Sequence, residues 1–387
     1  MPGHRFHLTL TERCNARCAH CYWDAAGVHA DPGLDRVAQI LSEFRRFARA
    51  HGERGRRILT LSGGEPTLRD DLKAVIRLAR RRGFRVRLAT NAMALDAARA
   101  RSLRQAGLRM VQVSVDGAEP ATFEQVRGPG SWAPTRAGIE ALRDAGLFVI
   151  LSLVLLPEAN LEEAPRLLDL TRTLGVAGAK FARPVHAGEA ARYDLAGAAD
   201  YLDAYRRILA HAREIGYRRP LLLFDPLAHR LVARHPDLTR GLWGLDTALC
   251  RCERTELVEV NGATGDVYYC RLRQPLGSLD RDDLVGLWRT HPALEAIRRR
   301  SPAAACAACP AWAGCRGGCP AVTHGRTGVV ANQDTDCPAV SAQGTPPATL
   351  PAGSYPRPAR PSLPAAACRA SRLLRSVAFY TVLRNRG

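Results

Sequence analysis

The stretch RFHLTLTERCNARCAHCYW, residues 5–23, joins a short alternating run to three cysteines within eight positions. Its first six residues alternate polar and apolar side chains, which predicts a half-buried strand. Cys14, Cys18 and Cys21 would then lie in the loop directly after that strand. Three thiolates leave one ligand position unfilled in a tetrahedral zinc site or a four-iron cube. Two interpretations follow: a zinc site that takes His20 as its fourth ligand, or a cluster whose open iron binds a small molecule.

The distribution of cysteines favours metal binding over disulfides. The chain has 387 residues and twelve cysteines, with none between Cys21 and Cys250. Disulfide frameworks spread their bridges along a chain, whereas metal sites gather their ligands. The N-terminus shows no apolar core of a signal peptide and no stretch long enough to cross a bilayer. We therefore expect a cytoplasmic protein with free thiols.

The formal charge of +19 comes almost entirely from arginine, since the only lysines are Lys73 and Lys180. A basic surface attracts acidic partners. No RNA-binding or zinc-finger pattern accompanies the arginines, so we expect no dedicated nucleic-acid binding. The alternative is a generally solvated basic surface.

Strand-like and helical stretches alternate from residue 4 to about residue 184. Such alternation is the signature of βαβ units and hence of a parallel sheet, curled as an open sheet or as a partial barrel. A further helix at about 197–215 and a strand-like run at 220–224 follow. The predicted strands are 5–10, 56–63, 84–90, 109–115, 147–155 and 177–184, and the predicted helices are about 34–50, 70–83, 96–106, 134–145 and 160–173.

Polar or glycine-rich motifs follow the first four predicted strands. The cysteine run follows the first, SGGEP (62–66) the second, TNA (90–92) the third and SVDG (114–117) the fourth. The carboxyl ends of parallel strands meet at one rim, where α/β enzymes place their chemistry. The sequence therefore predicts that these four motifs converge.

The C-x3-C-x2-C spacing after the first strand resembles the radical S-adenosylmethionine (SAM) superfamily. That resemblance implies a partial (β/α)6 TIM-like barrel, a [4Fe-4S] cluster on Cys14, Cys18 and Cys21, and SAM chelated to the open iron. It also implies reductive cleavage of SAM to a 5'-deoxyadenosyl radical that abstracts hydrogen from a substrate. Carried over motif by motif, the SAM-binding residues are His20, Gly63, Gly64, Glu65, Asn91, Ser114, Asp116 and Arg127.

One position departs from the family, and three residues have a second interpretation. The family commonly reads T-N-G after the third strand, where this chain has Ala92. Thr90, Asn91 and Asp116 are also residue types that cap strand ends, without contacting a ligand.

The downstream cysteines resemble the SPASM domain, which implies two auxiliary [4Fe-4S] clusters. The resemblance gives one cluster Cys306, Cys309, Cys315 and Cys337. It gives the other Cys252, Cys270 and Cys319, with Cys250 chosen as the fourth ligand although the C-x-C spacing is tight. The alternative is a pair of zinc-ribbon sites. Cys368 belongs to neither set.

The domain organisation follows from these segments. We expect a radical SAM core at 1–215, a bridging region at 216–245 and an auxiliary-cluster domain at 246–340. The last contains a hairpin, ELVEVNGATGDVYYC, with turn-forming Asn261-Gly262 and Gly265-Asp266 pairs. A proline-rich linker at 341–367 leads to a basic amphipathic helix at 368–387.

The resemblance implies a peptide-modifying enzyme as the leading function. Relatives with this C-terminal domain mostly act on ribosomally made peptides and form crosslinks, epimers or oxidised side chains; others act on tetrapyrroles or small molecules. A third interpretation is a catalytically idle iron-sulfur module. Sulfatase maturation is disfavoured because Arg271 follows Cys270 where those maturases carry Asp.

Expected partners are a precursor peptide, a flavodoxin or ferredoxin electron donor and a separate leader-binding protein, since the chain starts directly at the first strand. The tail is expected to touch an anionic membrane or a partner, or else to dock as an ordinary terminal helix. No general acid or base is named by a motif; Asp225, Tyr268 and Arg271 are weak candidates.

Overall fold

A computed structural model gives the structure of the chain at side-chain level. The predicted linker and tail helix lie outside the residues that it describes, as do Cys250, Cys252 and Cys368. The described residues are 4–22, 29–53, 55, 57–192, 197–247, 254–272, 274–302, 304–328, 334 and 337.

The first half of the chain forms the predicted βα series. Six parallel strands lie in chain order, and each pairs with the strand that follows it in the sequence. The strands are β1 (Arg5–Thr11), β2 (Arg57–Gly63), β3 (Phe84–Thr90), β4 (Met110–Ser114), β5 (Phe148–Val154) and β6 (Gly178–Ala182). The helices are α1 (Leu34–Ala50), α2 (Leu72–Arg81), α3 (Ala97–Gln105), α4 (Pro120–Arg127), α5 (Trp132–Asp144) and α6 (Leu167–Thr173).

The second half extends this sheet at both edges. The sheet has eleven strands in the described part of the chain, in the order β11-β10-β9-β1-β2-β3-β4-β5-β6-β7-β8. The added strands are β7 (Leu221–Leu223), β8 (Leu245–Asp246), β9 (Leu257–Asn261), β10 (Asp266–Tyr269) and β11 (Gly277–Ser278). The added helices are α7 (Ala198–Glu214), α8 (Pro226–Arg234), α9 (Leu284–Thr290), α10 (Pro292–Arg298), α11 (Ala304–Ala307), α12 (Trp312–Cys315) and α13 (Pro320–Thr327).

The two faces of the sheet differ in polarity. In β3, Phe84, Val86 and Leu88 are buried, while Arg85 and Arg87 point to the opposite face. The buried set belongs to one apolar core that also contains residues of α1 and α2, such as Phe44 and Val75. The helices therefore cover one face, and the other face lines the inside of a partial barrel, which we call the bore.

Two helix predictions need correction. The helix expected over 160–173 begins at Leu167, after a 3-10 turn at Ala164–Arg166. Pro165 donates no backbone hydrogen bond and restrains the residue before it, and Asn160 accepts from the Leu156 N–H (2.7 Å) in place of a helical turn. Helix α4 was not predicted; Pro120 at its first turn is its sequence signal.

The predicted hairpin is confirmed, and its position in the fold is new. Strands β9 and β10 pair antiparallel, with Val260 opposite Val267. Strand β9 also pairs in parallel with β1, Arg5 lying opposite Leu257. The C-terminal segment thus shares a sheet with the first strand.

Within the described residues, no helix has both the length and the apolar character needed to cross a lipid bilayer.

Candidate active site

The three N-terminal cysteines lie in the loop that leaves β1 at the rim. Cys14 is exposed and Cys18 and Cys21 are partly buried. Burial raises the pKa of Cys14 and raises that of Cys18 to about 11. Neutral thiols at ordinary pH need a bound cation to become thiolates, so this loop suits a metal cluster.

The loop is held by backbone contacts with the glycines that end β2. The N–H of Gly64 donates to the carbonyl of Thr11 (2.8 Å), and the N–H of Glu65 donates to that of Arg13 (2.8 Å). A Cβ on Gly64 would lie 2.3 Å from the Arg13 carbonyl oxygen, and Gly63 has φ 137°. Only glycine permits this approach. The second motif thus positions the cysteine loop.

Glu65 is a fully buried carboxylate with four protein donors. One oxygen accepts from the N–H (2.9 Å) and hydroxyl (2.6 Å) of Thr67 and from the hydroxyl of Thr90 (2.6 Å). The other accepts from the N–H of Asn91 (2.6 Å). Glu65 therefore ties the second rim motif to the third.

The third motif reaches the cysteine loop directly. The side-chain amide of Asn91 donates to the Asn15 side chain (2.8 Å), between the first two cysteines. Ala92 is buried at φ 65°, a left-handed conformation that glycine adopts without strain. Ala92, where the family commonly has glycine, therefore occupies a position whose backbone conformation favours glycine.

Asp116 links the fourth strand to the cysteine loop. Its buried carboxylate accepts from Nε (2.7 Å) and lies 2.6 Å from Nη2 of Arg127; it also accepts from the Val154 N–H (2.7 Å). Nε2 of His20 lies 3.2 Å away. Burial raises the pKa of Asp116, but the charges of Arg127 and His20 outweigh it and hold that pKa well below its usual range.

Arg127 also contacts a cysteine of the loop. Its Nη1 lies 3.6 Å from Sγ of Cys18, and the carbonyl of Val126 accepts from the N–H of Ala19 (2.9 Å). Among the residues that the structure describes, Nδ1 of His20 is buried without a hydrogen-bond partner. A buried, unpaired polar atom beside the loop fits a site completed by a further group. Ser114 lies on the bore face, opposite Ser152 in the register.

Four C-terminal cysteines line one pocket, among them the distant Cys337. The pocket has about 370 Å³ of empty space, part of it open to solvent. Burial raises the pKa of Cys306 to about 11 and that of Cys315 to about 12. The lining residues are Leu227, Arg230, Cys306, Cys309, Trp312, Cys315, Gly317, Asp334 and Cys337.

Cys270 and Cys319 form a second group. Burial raises the pKa of both thiols, and the charge of Cys319 adds to the rise for Cys270, to about 11. Cys252 and Cys250, the other predicted ligands, lie outside the described residues. In the part of the chain that the structure describes, no three His, Cys, Asp or Glu side chains are arranged to hold a single metal ion.

An ion network connects the pocket to the barrel. Arg183, which follows β6, lies 2.7 Å from Asp225 and 2.6 Å from Asp334, and all three side chains are buried. The Tyr205 hydroxyl donates to Asp225 (2.7 Å), and the N–H of Cys337 donates to the Asp334 carbonyl (3.0 Å). Of these residues, sequence patterns suggest only Asp225, as a weak candidate. The contact of Arg183 with Asp334 joins residues 151 positions apart and carries no local signal.

Comparison with known families identifies the first half of the chain. Residues 8–171 match the radical SAM superfamily. The match includes all four rim motifs, of which the cysteine loop is the first. The predicted fold and family are therefore confirmed for this part of the chain.

Several curated proteins are similar to the chain. An AdoMet-dependent heme synthase of Methanosarcina barkeri is 36% identical over 194 residues, 50% of this chain and 54% of that protein. A GTP 3',8-cyclase of Xanthomonas campestris is 40% identical over 148 residues, 38% and 43% of the two chains. The chain thus spans about half the length of these relatives. A PqqA peptide cyclase of Methylobacterium nodulans is 29% identical over 322 residues, 79% of each chain.

Solved structures share the fold of this chain. Streptococcus suis SuiB bound to the precursor peptide SuiA superposes with a TM-score of 0.67 and 16% identity, over 87% of this chain and 76% of that one. SuiB bound to S-adenosylmethionine superposes with a TM-score of 0.66 and 15% identity, over 87% and 77%. These matches show a shared fold through most of the chain.

Proposed function

Since residues 8–171 of this chain are a radical SAM domain, we propose that the protein holds a [4Fe-4S] cluster on Cys14, Cys18 and Cys21. When bound, the cluster supplies the electron that cleaves SAM to a 5'-deoxyadenosyl radical. The observation that supports this site is the convergence of the glycine, asparagine and aspartate motifs on the cysteine loop. The family assignment alone does not place those side chains.

The rim residues have distinct proposed roles. Gly63 and Gly64 set the loop position, and Glu65 and Asp116 already have protein partners for their oxygens. We therefore assign these two carboxylates to positioning. Direct contact with SAM is proposed for His20, whose Nδ1 has no partner among the described residues, and for Asn91, Ser114 and Arg127, which contact the cysteine loop or face the bore.

We further propose two auxiliary [4Fe-4S] clusters. Cys306, Cys309, Cys315 and Cys337 suit one because they line a single pocket. The other takes Cys270 and Cys319 with Cys252 and, as fourth ligand, Cys250. The buried guanidinium of Arg183 acts on Cys319 of one set and is paired with Asp334, which lines the pocket of the other.

The proposed substrate is a ribosomally made peptide, modified by hydrogen abstraction. The observation that supports this choice is the share of the chain that each similarity covers. The similarity to a PqqA peptide cyclase spans 79% of the chain and therefore reaches the C-terminal cysteines, and the superposition on peptide-bound SuiB spans 87%. The similarities to the heme synthase and the GTP cyclase span 50% and 38%.

A tetrapyrrole or other small molecule is the second candidate. The identities over the aligned residues favour it, at 36% to the heme synthase and 40% to the GTP cyclase against 29% to the peptide cyclase. In either case a flavodoxin or ferredoxin would supply electrons.

The experiment is anaerobic co-expression with short peptides encoded beside the gene, followed by mass spectrometry. We expect loss of two hydrogen atoms or another defined mass change, or a change in residue chirality. The matched control is the variant with Cys14, Cys18 and Cys21 replaced by alanine, which should leave the peptides unmodified. Unmodified peptides together with turnover of a porphyrin would contradict the peptide assignment.

A further inference from the structure

The charged side chains of barrel strands β1 to β6 are cationic. Strands β1 to β6 are fully described and contain no aspartate or glutamate. They contain five cationic residues: Arg5, Arg57, Arg85, Arg87 and Lys180. Apolar side chains on the helix-covered face dominate the rest of each strand. The register puts Arg57 beside Phe84 on the helix-covered face, and the other four cations point to the inner face, which is therefore basic.

The register places several of these cations around one histidine in the bore. His7 lies opposite Thr60, and Thr60 lies opposite Arg87. On the other side, His7 lies opposite Glu259 of β9, an acidic side chain in the same row. Burial is the largest cause, and together with the charges of Arg5, Lys180, Arg87 and Arg271 it lowers the pKa of His7 to about 3. His7 is therefore neutral, and at least four cations act on one point of the bore.

Two of these cations lie against aromatic rings. Nζ of Lys180 is 4.5 Å from the centre of the Phe224 ring and 3.1 Å from Oε1 of Gln112. The guanidinium of Arg271 is 6.0 Å from the centres of both Phe224 and Tyr22. Both cations are half-buried. Each ring offers an apolar surface against which the cation packs.

This cation and ring cluster lies between the two cysteine regions. Tyr22 directly follows Cys21 of the N-terminal loop, and Arg271 directly follows Cys270. Lys180 lies on β6, within the bore. A molecule that contacts this cluster would lie within reach of the radical source on one side and an auxiliary cluster on the other.

We propose that the bore binds its substrate through a carboxylate, held by Lys180 and Arg271. This inference rests on the proposed function and narrows its substrate to an acidic one. The ammonium of Lys180 and the guanidinium of Arg271 meet at one ring, so both can donate to the oxygens of a single carboxylate, and the flat guanidinium suits that group. The carboxylate comes from an Asp or Glu side chain of a peptide, or from a tetrapyrrole propionate.

The test measures binding with defined probes on the anaerobically reconstituted full chain. One arm uses a rhodamine-labelled decapeptide with two glutamates and its glutamine counterpart. The other arm uses mesoporphyrin IX and its dimethyl ester. Fluorescence anisotropy or quenching gives the Kd of each, and the arm that binds identifies the source of the carboxylate.

We expect at least one acidic probe to bind about tenfold more tightly than its neutral counterpart. Lys180→Met combined with Arg271→Gln should bring that ratio close to one. Lys180→Arg combined with Arg271→Lys keeps both charges and should preserve the ratio. A misfolded protein would lose the ratio, so this variant separates loss of charge from loss of folding. The matched controls are Lys73→Met, at the only other lysine, and Arg77→Gln, at an exposed helical arginine.

Three results would overturn the proposal. They are equal binding of acidic and neutral probes, an unchanged ratio in the methionine and glutamine variant, and no binding of either acidic probe at millimolar concentration. SAM cleavage to 5'-deoxyadenosine is measured in the same preparations. Intact cleavage with any of these results refutes the carboxylate site and leaves the proposed radical function standing.

Discussion

Replacing Asp116 with asparagine tests whether a buried charge holds the cysteine loop in place. Asparagine keeps the shape, so one oxygen can still accept from the Val154 N–H. Its amide would then face the Nε and Nη2 donors of Arg127, now at 2.7 and 2.6 Å from the carboxylate, and His20 at 3.2 Å. A hydrogen bond to a charged group contributes about 1.5–3 kcal/mol, and breaking a buried ion pair costs about 3–5 kcal/mol.

We therefore expect Asp116→Asn to lower the free energy of unfolding by about 3–5 kcal/mol. The unfolding temperature should fall by roughly 6–20 °C, at about 2–4 °C per kcal/mol. The assay is scanning calorimetry of the reconstituted protein under nitrogen, with iron counted before and after gel filtration. Loss of iron from the cysteine loop should accompany the loss of stability, because His20 and Arg127 both touch that loop.

The control is Glu140→Gln, which breaks an exposed pair with Arg136 at 3.1 Å. Such a pair contributes at most about 0.5 kcal/mol. The double variant Asp116→Asn with Arg127→Gln should recover part of the stability, because no buried charge is left unpaired. The reasoning is refuted if Asp116→Asn resembles Glu140→Gln in both unfolding temperature and iron content.

Three further predictions concern His7, the glycine turn and the C-terminal pocket. The pKa of His7 falls from 6.5 to about 3 on folding, so the unfolded chain binds the proton and stability declines as pH falls below about 7. His7→Gln should shrink the stability loss between pH 7.5 and pH 6 by about 0.8 kcal/mol in thermal unfolding, and an equal loss in both proteins would count against it. Gly64→Ala should displace the cysteine loop, at a cost of about 1–3 kcal/mol with loss of iron, whereas Gly55→Ala, where a Cβ meets nothing within 4 Å, should change neither. Cys315→Ala should lower the iron count from about twelve to about eight per chain while SAM cleavage persists, and an unchanged count would remove the auxiliary cluster.

The local parts of the fold could be predicted from the sequence. Alternation such as that of FRVRLAT and the helical runs between strands are short-range patterns, so all six core strands were found. The predicted ends of helices were less accurate than the predicted strands. Pro165 removed the first turn expected of α6, and Pro120 opened a helix too short for periodicity to reveal.

The non-local parts could not be predicted from such patterns. The hairpin was found, but its pairing with β1 joins Arg5 to Leu257, and no local pattern encodes so distant a register. The same holds for the ion network of Arg183 with Asp334. Glu65 and Asp116 were found by resemblance, which suggested ligand contacts; only the structure gives their partners within the protein.

The central claim is a cluster at Cys14, Cys18 and Cys21 with an iron open to SAM. The most direct measurement is formation of 5'-deoxyadenosine by anaerobically reconstituted protein with SAM and dithionite. The account predicts product from the wild-type chain and none from the variant with all three cysteines replaced by alanine. Product from that variant, or zinc in place of iron and no product from the wild type, would contradict it.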